Sequence, residues 1–230
     1  MIISQKKERS MKSIVRIVKE VLNMPYYRNY QAVSGKVHND ANHETAVEDI
    51  LVANGCSPSD IGKISIETRD KWLDGDPSPE MGNMTYISQP CGTHNSPDFI
   101  VKDENGELFF LECKSAQAGT PMYNSGVPKA KYIYILSSKK HDATTVYMGE
   151  DCLPSETRKI ILEHIEEARK RDEALNEVLK SRGVINNYNI SYYTRPMIQH
   201  TGRKDQTDYF INENRLINEA NVFSYIEQGV

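Results

Sequence analysis

The order of apolar patterns along these 230 residues predicts an α/β fold built as one domain. Three observations carry that expectation. Ser96 to Val101 and Leu108 to Ser115 are strand-length runs on either side of Asn105-Gly106, one of the strongest short-range hairpin signals. Ala130 to Leu136 is a β-branched and aromatic run, followed after a turn by a similar run from Thr144 to Met148. Around these strands lie stretches whose apolar residues recur at helical spacing.

Ser10 to Asn23 predicts an amphipathic helix with Ile14, Val15, Ile17, Val18, Val21 and Leu22 apolar, ended by Pro25. Tyr26-Tyr27-Arg28-Asn29-Tyr30 and Ser34-Gly35-Lys36 come next, and tyrosines near a helix end favour packing over stacking on bases. A second helix is expected from about Asn42 to Asn54, capped by Asp40 or Asn42 and stopped by Gly55. On it Glu44 lies nearer the apolar side than Glu48, so Glu44 is the carboxylate able to reach inward, with Glu48 as its substitute. Ile64-Ser65-Ile66 alternates as a short strand would, Asp74 to Pro79 is loop, and Trp72 is a packing residue. Gln89 to Pro97 is a polar, turn-rich loop that delivers the chain to Asp98.

Beyond Lys114, Ala116 to Lys129 reads as a loop held by glycines and prolines. A long helix is expected from Ser155, as N-cap, to about Arg182; Arg169 to Glu173 interrupt its apolar positions, so only part of it is buried. Ile190 to Tyr193 reads as a strand. Asn214 to Ile226 reads as a final helix for packing or a subunit interface.

No apolar run approaches the ~20 residues a membrane helix needs, and the N-terminus lacks an apolar signal core, so a cytoplasmic protein is expected. Cys56, Cys91, Cys113 and Cys152 lie 35, 22 and 39 residues apart without a CxxC pair, which argues for four reduced thiols. The net charge of -4 speaks against a polyanion partner, but its distribution does not. Met1 to Lys36 holds eight Lys/Arg against two acids, and Ser181 to Lys204 holds four against none. Two basic segments flanking an acidic middle can wall a polyanion cleft.

The hairpin carries the chemistry. Glu112 and Lys114 are two apart in one strand and share a face; Asp98 sits at the mouth of the other strand. Two carboxylates and a lysine at a sheet edge make a site for a hard divalent cation. The register decides whether they converge. A two-residue turn would set Asp98 opposite Cys113, on the wrong face. A three-residue loop, Glu104-Asn105-Gly106 with Gly106 left-handed in a bulge, sets Asp98 opposite Glu112, and this is the register expected.

Pro97-Asp98, thirteen residues, then Glu112-Cys113-Lys114 resembles the PD…(D/E)xK signature of the nuclease superfamily that includes many type II restriction endonucleases. Gln89-Pro90-x-Gly92, Pro121-Met122-x-Asn124 and Tyr132-Ile133-Tyr134 look like stretches of small restriction enzymes. The resemblance implies a PD-(D/E)xK restriction-endonuclease-like fold with a central mixed β-sheet flanked by helices. It implies one endonuclease domain over 1–230: a catalytic core at about 40–182, an N-terminal helix at 10–23 and a DNA-reading and dimerisation segment at 183–230. Asp98 and Glu112, with the carbonyl of Cys113, would hold Mg2+; Lys114 would orient the attacking water and stabilise charge rather than abstract a proton; Glu44 would be a further acid. The implied reaction is Mg2+-dependent cleavage of double-stranded DNA at a specific sequence, leaving 5′-phosphate and 3′-hydroxyl ends. The alternatives are a structure-specific or repair nuclease, and a DNA-binding module with an inactive site. A palindromic target calls for a homodimer. Candidate base readers are Arg195, Gln199, His200, Arg203 and Lys204, followed by Asn95 and Ser96.

Overall fold

Six strands form one mixed sheet in a computed structural model that describes residues 11–30, 43–124 and 126–229. Their order is β1 (Ser57–Pro58), β2 (Thr85–Ser88), β3 (Phe99–Lys102), β4 (Leu108–Ala116), β6 (Ile133–Ser138) and β7 (Ala143–Met148). β1 runs parallel to β2 and β4 parallel to β6, and the remaining neighbours are antiparallel. β5 (Met122–Tyr123) leaves this sheet and pairs with β8 (Ile198–Gln199). The helices are α1 (Ser13–Leu22), α2 (His43–Ala53), α3 (Ile66–Leu73), α4 (Gly149–Cys152), α5 (Ser155–Ser181), α6 (Val184–Tyr188), α7 (Lys204–Thr207) and α8 (Arg215–Gln228).

Alternation along β4 splits the core in two. Phe109, Leu111 and Cys113 pack with the apolar sides of α1, α2 and α8. Leu108 and Phe110 pack on the other face with Trp72 of α3 and with Tyr123, Tyr132, Tyr134 and Tyr147. The sheet is thus covered on both sides.

The β3–β4 loop has three residues. The Asp103 amide donates to the Glu107 carbonyl at 3.0 Å, the Gly106 amide donates to the Asp103 carbonyl at 3.2 Å, and Gly106 has φ 86°. The fully buried Asp103 fixes the turn by accepting from the amides of Asn105 and Glu107 at 2.9 and 2.8 Å. Asn105-Gly106 therefore makes the bulged loop that the site needs, not the two-residue turn.

Several expectations change. Ser65 is the N-cap of α3, its Oγ accepting from the Thr68 amide at 3.0 Å, so Ile64-Ser65-Ile66 is no strand. Ile190 to Tyr193 pairs with no strand; it is an exposed strap whose Tyr192 exchanges two hydrogen bonds with the Asn176 side chain. Pro154, not Ser155, caps α5, and Arg158 is that helix's one buried residue. Of the two uses expected for the final helix, packing is the one seen: α8 lies on β7 with Val222 and Ile226 fully buried, because its apolar side completes the core beside α1. Tyr26, Tyr27 and Trp72 pack as expected. The proposed caps Asp40 and Asn42, and Ser34 to Lys36, lie outside the described residues. No helix among the described residues is long and apolar enough to cross a membrane.

Candidate active site

Pairing sets Phe99 opposite Leu111 and Lys102 opposite Leu108. Continued by one residue, that register puts Asp98 opposite Glu112, and the Asp98 amide donates to the Leu111 carbonyl at 3.0 Å. Both oxygens of Asp98 are held: Gln89 Nε2 donates to Oδ1 at 3.1 Å and the Cys113 amide donates to Oδ2 at 2.7 Å. Glu112 is 4% exposed, and Lys114 Nζ donates to its Oε1 at 2.7 Å. Glu112 Oε2 is buried with no hydrogen-bond partner among the described residues.

Burial pushes the Asp98 carboxyl up to about 7, and the negative charge of Glu112 pushes the same way. Burial also raises Glu112, against the opposing charge of Lys114. Two carboxylates facing each other in low dielectric disfavour their own ionisation, and a cation between them removes that penalty. Among the described residues no three His, Cys, Asp or Glu side chains converge to cage an ion. Two facing carboxylates are the kind of donor set that a hard cation such as Mg2+ accepts while completing its shell with water and a phosphate oxygen. The orphaned Glu112 Oε2 fits that demand. Cys113 turns its thiol to the opposite core, as alternation requires.

Glu44 stands in the first turn of α2, half-buried, and its charge raises both Asp98 and Glu112. Glu48, its alternative, is instead engaged by the Tyr86 hydroxyl at 2.9 Å. Two further residues belong to the site. Gln89 aims its amide at Asp98 from a left-handed backbone, φ 49°, while its own N–H donates to the Asp98 carbonyl at 2.7 Å. His43 is buried, and its ring stacks on Tyr27 at 5.4 Å. Burial lowers His43 to about 3, so a neutral imidazole sits near Lys114. Its spacing with Ala46, Val47 and Ile50 marks the inward side of α2 and is a sequence signal for it. Nothing in Gln89-Pro90 beyond a turn foretells where that amide points.

The proposed DNA contacts divide. Ser96 lines a small cleft with Glu112, Lys114, Tyr123, Gly126 and Tyr134. Gly126 also borders a cavity of about 400 Å³ lined by His94, Tyr193 and Arg195, which adjoins the Glu112 cleft at that glycine. Arg195 Nε is steadied by the Asn124 carbonyl at 2.8 Å. Asn95 and Gln199 are exposed nearby in sequence, Asn95 bonded to the Cys91 carbonyl and Gln199 opposite Met122 in β8. His200 is committed to packing: it is half-buried, 3.0 Å from the Tyr209 hydroxyl and edge-on to Tyr123. Arg203 is paired with Asp205 at 2.6 Å, Lys204 is exposed on α7, and neither lines the cleft. No protein family, curated protein or solved structure matches the chain.

Proposed function

We propose that the chain is a Mg2+-dependent deoxyribonuclease of the PD-(D/E)xK kind that cuts double-stranded DNA at a specific sequence. The observation that carries this reading is the bulged register that sets Asp98 opposite Glu112, with Lys114 bound to Glu112. Asp98 and Glu112 would hold the cation, with the Cys113 carbonyl as a further ligand. What that cation supplies is positive charge against the non-bridging oxygens of the scissile phosphate. The chain's own groups do the rest. Lys114, fixed by Glu112, orients the attacking water and stabilises the charge that grows as the new P–O bond forms and the bond to O3′ breaks. Gln89 and the Cys113 amide keep Asp98 pointed at the site. Neutral His43, stacked on Tyr27, lies next to Lys114. Arg195 and Ser96 face the approach and suit contacts to DNA.

The test is incubation of purified protein with supercoiled plasmid and Mg2+, beside an Asp98→Ala control. Discrete fragments with 5′-phosphates that vanish in the control support a sequence-specific enzyme. A smear points to a nuclease without sequence preference, and intact plasmid on every sequence offered sinks the catalytic reading.

A further inference from the structure

α3 is eight residues long, and its middle buries a guanidinium. Arg69 is 5% exposed, a place where an arginine is costly unless its donors are engaged. They are engaged on two sides. Nε and Nη2 donate to one oxygen of Asp70, Oδ1, at 3.0 and 2.8 Å, and Nη1 donates to the Ser96 carbonyl at 2.8 Å. The same Asp70 oxygen lies 3.4 Å from Lys129 Nζ.

Ser96 and Lys129 belong to the two loops that border the cleft of Glu112 and Lys114. Ser96 lines it from the loop that ends at Asp98; Gly126 and Val127, just ahead of Lys129, line it from the loop before β6. α3 grips both. The Ile64 amide, leading into the helix, donates to the Pro90 carbonyl at 2.8 Å, which holds the start of the first loop. Lys131 Nζ donates to the carbonyl of Leu73, the last residue of α3, at 3.1 Å, which holds the end of the second. Arg69 and Asp70 lie between these two ties and join the loops where they line the cleft.

We infer that Arg69, through Asp70 and Lys129, is a positioning residue that fixes the spacing of the two loops bordering the Glu112–Lys114 cleft. A lysine at 69 would keep the charge but lose the planar fork, whose separate nitrogens reach an aspartate and a carbonyl at once. The inference rests on the nuclease reading for its effect on turnover, but not for the coupling itself. In that reading the loops flank the scissile phosphate, and an error of about 1 Å in their spacing costs about a hundredfold in rate.

The test compares the full chain with Arg69→Lys and with Lys129→Met, the second of which changes a side chain already 38% exposed. Arg69→Lys should lower kcat for plasmid cleavage about a hundredfold and Lys129→Met about tenfold, with KM unchanged in both. Nuclear magnetic resonance of the isotope-labelled chain, without metal or DNA, reads the coupling directly. Lys129→Met should shift the Ser96 amide on the opposite loop, and Arg69→Lys should shift that of Val127. A group that only stabilised the fold would lower the melting temperature without carrying a shift from one loop to the other. Should Arg69→Lys fail to fold, Lys129→Met decides by itself. An unchanged kcat, a rise in KM in place of a fall in kcat, or shifts confined to the mutated residue's own loop each overturns the inference. A wild type that cleaves nothing sinks the nuclease reading alone, and the cross-loop shifts then settle whether Arg69 couples the loops.

Discussion

Asp98 is the residue at which stability and chemistry pull apart. Its carboxyl rises from 3.8 to about 7 in the fold because burial and Glu112 oppose its charge. Between those values the native state keeps a proton that the unfolded chain has lost, so stability of the metal-free protein falls as pH rises across that window. Asp98→Asn should therefore cut cleavage by about a thousandfold or more, yet raise the melting temperature of the metal-free protein at pH 8 relative to wild type. Thermal scans from pH 4 to pH 8 check the sign: the two proteins should converge at the acid end. Lys114 behaves in the opposite sense. It is the hydrogen-bond and ion-pair partner of Glu112, whose side chain is 5% exposed, so Lys114→Met should cost about 3 kcal/mol in urea unfolding by leaving that carboxylate alone. Adding Glu112→Gln should recover most of the loss. A single mutant as stable as wild type would show that the pair is not buried. Asp98, Glu112 and Lys114 were legible as candidates because charge two residues apart beside an apolar run stands out in a sequence. Gln89 was not, because its role depends on a left-handed backbone that glutamine seldom adopts.

At the scale of elements, the hairpin is the device that assembles the site, and its register is the variable. Deleting Asn105 leaves Glu104-Gly106 between the facing Asp103 and Glu107, so the loop shortens to two residues while Asp98 stays opposite Glu112. The expected result is a folded protein with strand content near wild type that still cleaves. Gly106→Ala keeps the length but forces a side chain to φ 86°, and should cost about 1 kcal/mol while leaving activity largely intact. Cleavage lost while the fold is kept would refute the register argument. The turn residues announced this element, and the alternating runs announced β4, β6 and β7. β2 was missed because Thr85 to Ser88 is four residues between polar turns, and its pairing with β3 is a long-range contact that no local pattern reports. Ser65 was misread for a related reason: alternation of Ile64 and Ile66 outweighed a serine with the local chemistry of a cap.

Over the whole molecule, the two ends of the described chain close one core and the C-terminal half reaches back to the site. Lys12 Nζ donates to the Ile226 carbonyl at 2.9 Å and to Glu107 at 2.7 Å, tying α1 to α8 and to the β3–β4 hairpin. Sequence could find the apolar side of α8 but not its address, since a single amphipathic helix fits a core or a partner equally well. The same ambiguity hid the strap, whose placement depends on side-chain clips to α5 and on β8 pairing with β5. This arrangement separates two ways of weakening DNA binding. Tyr209 packs on Tyr147 at a centroid distance of 4.5 Å and meets His200, so it anchors the segment that follows Arg195. Tyr209→Ala should lower both melting temperature and affinity for duplex DNA. Arg195→Ala, exposed at the cleft, should lower affinity about tenfold with the melting temperature unchanged. Fluorescence anisotropy on labelled duplex DNA without added Mg2+ reads both. Equal affinity for wild type and Arg195→Ala would remove the strap from the DNA path, leaving the β3–β4 hairpin without the neighbour that the cavity beside it provides.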